Sequence, residues 1–445
     1  MWIRRDGEQS SITSYRVFDS ATKGKSMQHM YARIHASGYS PLLVRLFTFT
    51  FVVGLITSLP DILFNFYLLS MGFDNAVAGS LASILRLSGF ILGIPLGLAV
   101  DRIGGVRTIQ IATVVNVLVW GALLNVRDVA SIQVLYFLSG VFFTAQAISI
   151  VPLIARVSTP AQRPMLFGVN FAVLMATSVV SALIGGRLPQ WIAFWLNVDA
   201  MSAPAYRSAL SIIIGLCCLV IWVLWGLEAQ IRASTIANDV PVVGVNEPHI
   251  PLLTIVFRSF GRTLLGFAGG VFFPFVNIYL RQQYDMSDAT VGTVIAIFAI
   301  GATLGGLCVG QVMHYVGSRS GILYAGCIAA LSTISVLYPH PWLFTLMFSI
   351  CTCMVSFIFP LADVLLMGMI APSQRGMATS VSNMMWSLGW AVAAWLSGVL
   401  QVQSGFFWPI VLSALAFLLV GIWFFVVPFP RYERVHAEAL VSATA

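Results

Sequence analysis

Twelve apolar runs, each long enough to cross a bilayer, leave this chain few folds to choose from. They lie at about 43–69, 76–100, 106–126, 130–156, 165–187, 207–230, 251–281, 288–312, 319–337, 342–370, 374–400 and 405–428. A spanning helix needs about 20 mostly apolar residues. Lipid offers no partner to a free N–H or C=O, so the runs are expected to be helices. Transmembrane strands would read as short alternating segments, which these are not. Only 9% of the 445 residues are charged and 59% are hydrophobic, whereas a soluble domain carries about 25% charge. The expectation is an all-α integral membrane protein.

The net charge of +7 is unevenly placed. Arg4, Arg5, Arg16, Lys23, Lys25, Arg33 and Arg45 precede or open the first run, and further arginines fall in alternate loops and the last segment. The intervening loops hold only Arg127, Arg187, Arg207 and Arg281. Basic residues concentrate on the cytoplasmic side, so both tails are expected there, as an even number of spans requires. The basic excess thus orients the chain and does not point to nucleic acid. Residues 1–42 lack the apolar core of a signal peptide and read as a cytoplasmic tail. The six cysteines fall in or at the ends of apolar runs without metal-ligand spacing, so buried free thiols are expected and no metal or cofactor.

The chain repeats itself. "TPAQRPM" at 159–165 returns as "APSQRGM" at 371–377, and the same offset of 212 carries Gly186 onto Gly398 and Asn65 onto Asn277. After a one-residue slip, Gly79, Gly93, Gly97 and Gly104 map onto Gly292, Gly306, Gly310 and Gly317. The expected organisation is a tail (1–42), a six-helix half (43–230), a cytoplasmic linker (231–250), a second half (251–428) and a tail (429–445). Six is even, so the halves share one orientation and relate by an axis along the membrane normal, as in transporters built from parallel repeats.

The loop between runs two and three reads Gly97-Leu-Ala-Val-Asp101-Arg102-Ile-Gly104-Gly105-Val-Arg107. It resembles the signature loop of the major facilitator superfamily, as do the Pro-x-x-Arg loop after each half's fourth helix, the twelve spans and the long linker. The resemblance implies the major facilitator fold. It also implies a cytoplasmic gate in which Asp101, Arg102, Arg107 and Arg156 help tie the halves together. The second-half copy of the loop reads Gly310-Gln-Val-Met-His314-Tyr-Val-Gly317-Ser-Arg319 and lacks the Asp-Arg pair. Antiporters of that family often carry Gly-Pro-x-x-Gly-Gly on helix five. Here the segment is Ser181-Ala-Leu-Ile-Gly185-Gly186, without the proline.

A charge in hydrocarbon is costly, so ionisable residues inside the runs are functional candidates. Asp61 lies about 12 Å from the outer end of run one, and Arg86 about 15 Å from the outer end of run two. Their similar depth suggests a pair, either a fixed structural one or one used in coupling. Asp363 lies about 10 Å from the cytoplasmic end of run ten. The resemblance implies that the first and fourth helices of each half line a cavity, which adds Asn65, Gln146 and Asn277. Asn383, Trp386 and Trp390 share one face of run eleven, where rings could stack on an organic solute or simply pack.

The expected function is secondary transport of a small organic solute by alternating access, with protons as a candidate coupling ion, in a monomer at the plasma membrane. The alternative is a non-transporting receptor or a lipid-flipping protein on the same fold. A membrane enzyme lacks support, because no metal motif or nucleophile elbow occurs. A primary pump lacks the phosphate-binding loop.

Overall fold

A computed structural model describes residues 41–156, 158, 162–227, 250–371 and 374–430. The expected tails, most of the linker and parts of the two echoed loops lie outside these residues. Among the described residues, twelve helices are long and apolar enough to span a membrane. They are α1 (Pro41–Ser70), α2 (Asn75–Ile103), α3 (Gly105–Leu123), α4 (Val129–Arg156), α5 (Arg163–Leu196), α6 (Ala203–Leu224), α7 (Leu252–Tyr284), α8 (Asp288–Val316), α9 (Ser318–Ile334), α10 (Pro341–Met367), α11 (Arg375–Ser404) and α12 (Phe407–Val426). We call the membrane face where α1 begins the first face, and the other the second face.

Local chemistry sets the helix ends. Asp74 caps α2 by accepting the Val77 N–H at 3.0 Å. Asp128 accepts the Ser131 N–H at 2.8 Å at the start of α4, satisfying one donor the first turn leaves free. Hydrogen bonds from Ser131 hold the Asp128 carboxyl below its ordinary range. The signature-loop glycine Gly104 sits at φ 93°, and its repeat mate Gly317 at φ 79°. Side chains rarely adopt that backbone, which gives both glycines a physical reason to recur.

α7 is the one span with a break. Pro274 has no N–H to donate, and residues Phe273–Phe275 form a 3-10 turn between Leu252–Phe272 and Val276–Tyr284. Proline inside a helix removes a hydrogen bond and often interrupts the run.

Each half packs in the same pattern. α1 meets α5 and α6, as α7 meets α11 and α12; α2 meets α4, as α8 meets α10. Between halves the main contacts are α2 with α11 and α5 with α8. These are repeat mates of each other. At one crossing, a Cβ added to Gly79 would lie 2.7 Å from the Gly398 Cα; at the other, a Cβ on Gly186 would lie 3.0 Å from the Gly292 Cα. Small residues let helix backbones approach this closely in lipid.

Both crossings lie near the second face. Toward the first face the packing between the same four helices loosens, although a Cβ on Gly306 of α8 would still lie 3.3 Å from the Phe171 ring of α5. Gly93 and Gly97 of α2, Gly168 of α5 and Gly310 of α8 meet nothing within 4 Å. Ile94 is 58% exposed and Leu307 72%. The halves are therefore packed closely at the second face and more loosely at the first. The small-residue stripe of α2 changes its setting along its length: Gly89 faces Thr144 and Ser387, while Gly93 and Gly97 face open space.

Gly79→Leu should destabilise this state by about 1–3 kcal/mol through overpacking against backbone. Gly93→Leu should leave its stability unchanged, because nothing stands in the way. Thermal unfolding of the two purified variants in detergent checks the difference, and equal midpoints would contradict the assignment of the crossings.

Candidate functional site

The space between the halves is a cavity built from α1, α2, α4, α7, α8, α10 and α11. It comprises two adjoining pockets, or lobes, of about 270 and 290 Å³, and both have Asp61 and Phe273 in their walls. The first lobe is lined by Asp61, Asn65, Arg86, Tyr136, Pro274 and Trp390, among others. The second is apolar, with Ile62, Val276, Ile295, Phe298, Phe348 and Val355, and two hydroxyls from Thr352 and Ser356.

Asp61 follows Pro60 on α1 and opens onto the cavity, exposed. Its carboxylate accepts no hydrogen bond among the described residues. Arg86 projects from α2 into the same lobe. Its guanidinium carbon lies 4.8 Å from the ring centre of Phe143 on α4, and 5.0 Å from each of the rings of Trp386 and Trp390 on α11. A cation over an aromatic face is attracted by the ring quadrupole, by as much as about 2 kcal/mol when desolvated. Asp61 and Arg86 interact through space, yet no carboxylate oxygen approaches a guanidinium nitrogen within 4.0 Å. The two charges share the cavity without closing into a contact pair.

The two asparagines meet each other. Asn65 Nδ2 donates to Asn277 Oδ1 at 3.0 Å and to the Pro274 carbonyl at 2.7 Å. Asn277 Nδ2 donates in return to the Ile62 carbonyl at 2.9 Å. These residues are repeat mates, so their contact sits where the axis relating the halves passes. The α7 break supplies the Pro274 carbonyl that an unbroken helix would have used internally.

The remaining sequence-predicted residues are placed differently. Gln146 is buried, at 8% exposed. Tyr136 of α4 lines the first lobe, and Ser139 and Phe143 line a small separate pocket with Asp61 and Arg86. Asp363 is exposed and faces Arg262 of α7 across 3.6 Å, and Arg262 lies 4.5 Å from the ring centre of Phe359. Asn383 is exposed on α11. Arg102 and Arg107 are exposed at the first face. The side chains of Asp101 and Arg156 lie outside the described residues.

Sequence reasoning missed a second cluster, at the second face. Tyr206 of α6 donates to Asp288 Oδ2 at 2.6 Å and accepts from Arg281 Nη2 at 2.7 Å. Arg281 and Asp288 form an ion pair, and the guanidinium lies 3.5 Å from the ring centre of Phe66 on α1. Tyr206 and Phe66 belong to the first half; Arg281 and Asp288 belong to the second. The signal available in the sequence was Arg281 itself, one of few arginines on the arginine-poor side.

Residues 258–443 match the sequence model of the Major Facilitator Superfamily. Solved structures show the same fold. The nucleoside transporter NupG superposes with a TM-score of 0.69 at 14% identity, covering 86% of this chain and 98% of that one. A bacterial homologue of the human lysosomal transporter Spinster, in an inward-facing and occupied conformation, gives 0.68 at 14%, covering 86% and 95%. A bacterial homologue of the iron transporter ferroportin in an inward-facing state gives 0.66 at 14%, covering 86% and 97%. No curated protein matches the chain in sequence.

Arg281→Gln should strand the buried Asp288 carboxylate, at a cost of about 3–5 kcal/mol. Adding Asp288→Asn should recover a large part of that loss. A double-mutant cycle from thermal unfolding measures the coupling, and strictly additive effects would show that the pair contributes nothing.

Proposed function

We propose that this chain is a member of the Major Facilitator Superfamily and carries a small organic solute across the plasma membrane by alternating access, driven by an ion gradient and not by ATP. The observation that carries the reading is the cavity between two pseudo-symmetric halves, packed closely at the second face and more loosely at the first. The arginine and lysine asymmetry supports a cytoplasmic first face. On that orientation the structure is an inward-facing state, and its glycine crossings are the outer seal.

Asp61 is our candidate for the coupling group. It is an acid deep in the span and open to the cavity, and its repeat mate is the apolar Phe273. Proton coupling needs a carboxylate whose water access and arginine contact change between states. Arg86, near but not in contact, provides that second condition. In the outward-facing state the cytoplasmic ends would close, and Asp101, Arg102, Arg107 and Arg156 are our candidates for holding them.

Two measurements check this. Single cysteines from Ser11→Cys, Ala237→Cys and Ser442→Cys should all resist an impermeant thiol reagent in intact cells; labelling of all three from outside would reverse the orientation. In proteoliposomes, Asp61→Asn should abolish gradient-driven accumulation of a transported solute while downhill exchange persists. Undiminished accumulation would reduce Asp61 to a structural role.

A further inference from the structure

Resting on that transport reading, we propose that the solute is a small amphoteric molecule with an apolar body, in the chemical class of apolar α-amino acids. Its acidic group would bind Arg86, its amine Asp61, and its apolar body would fill the second lobe.

The order of groups along the cavity carries the inference. Arg86 lines the first lobe and not the second. Asp61 lines both, so it stands where the two adjoin. Beyond that point the second lobe offers rings and aliphatic side chains, Phe273, Phe298, Phe348, Val276 and Ile295. A ligand threaded through this space meets a cation, then an anion, then an apolar wall. The complementary molecule reads anion, cation, apolar body.

Charge accounting narrows the class. The empty site holds one positive and one negative group, each without an ion-pair partner. A solute with only an acidic group would satisfy Arg86 and leave Asp61 alone in a low-dielectric space. A solute with only an amine would do the reverse. The amine alone would leave a net charge in the occluded state, and the acid alone would too unless Asp61 took up a proton with it, and hydrocarbon penalises such a charge. An amphoteric solute pairs both groups and keeps the loaded carrier neutral. When the solute leaves, the same carboxylate is free to take the coupling proton.

The setting of Arg86 favours an acid over a neutral acceptor. Phe143, Trp386 and Trp390 lie around the guanidinium and hold it in place, but aromatic rings do not satisfy its N–H donors. No hydrogen bond from those donors is made among the described residues. A guanidinium presents its donors in a fork that matches a carboxylate in two parallel bonds.

The test uses the purified full-length protein and matched probes. Leucine, phenylalanine and tryptophan are compared with the acid lacking the amine and the amine lacking the acid, by thermal shift and by quenching of tryptophan fluorescence. The expected result is that at least one amino acid binds, and that removing either charged group weakens it at least about tenfold. In Arg86→Gln the amino acid should lose its advantage over the simple amine. In Asp61→Asn it should lose its advantage over the simple acid. Comparison of the probes on the unmodified protein keeps the test valid if a variant does not fold. The inference is overturned if no amino acid binds, or if a singly charged probe binds as well as its parent. Counterflow of the tightest-binding probe in proteoliposomes separates this from the transport reading. Binding without counterflow would overturn transport and leave the site. Counterflow of singly charged probes as fast as their parents would overturn the amphoteric site and leave transport.

Discussion

Two glycine-to-glycine crossings hold the halves together, and the rest of the arrangement follows from where they lie. Gly79 meets Gly398 and Gly186 meets Gly292 at distances that admit no side chain. In lipid there is little hydrophobic gain from joining helices, so close backbone packing and hydrogen bonds must supply the attachment. Because both crossings lie near one face, the four helices pack more loosely toward the other and leave the cavity between them. The Asn65–Asn277 contact and the Arg281–Asp288–Tyr206 cluster add polar contacts at the same level. All of them would have to separate for the second face to open.

The architecture was legible in the sequence for a simple reason. Twelve runs without polar interruption can do little but span, and a repeat at an offset of 212–213 ties each helix of one half to its mate. The glycines of the crossings stood in that repeat, Gly186 with Gly398 and Gly79 with Gly292. A repeat shows equivalence, however, and not contact. It could not tell that the mates Asn65 and Asn277 touch each other across the axis. It also could not tell that the mates of the crossings pair crosswise. The α7 break was hidden for a different reason: Pro274 lies among phenylalanines, so hydropathy runs straight through it.

The candidate site was legible in part. Asp61 and Arg86 stood out because charges are rare in these runs. Their depth suggested a pair, but depth along two helices does not fix the distance between side chains. The rings that hold Arg86 come largely from the other half of the chain, and no pattern in sequence joins residue 86 to residues 386 and 390. Gln146 drew notice for its polarity, yet the α4 residue in the wall of the first lobe is Tyr136. Polarity marks a candidate; helical phase decides which way it points.

The site also breaks the symmetry that builds it. Both cavity charges come from the first half, on α1 and α2, while α11 of the second half supplies the two tryptophan rings. A rigid rocking of the halves would therefore move charge against rings, and Arg86 is where this matters most. Gly79, the crossing residue, precedes Arg86 on α2 by about 10 Å at 1.5 Å per residue. Trp390 precedes Gly398 on α11 by about 12 Å on the same basis. The cation–ring contact thus lies on the cavity side of the crossing, nearer the middle of both helices. A contact near the centre of a rocking pair changes less than contacts at its ends. The guanidinium can then keep ring partners while the crossings at one face give way to contacts at the other. A cation at this depth needs such partners in every state it visits, because hydrocarbon offers it none.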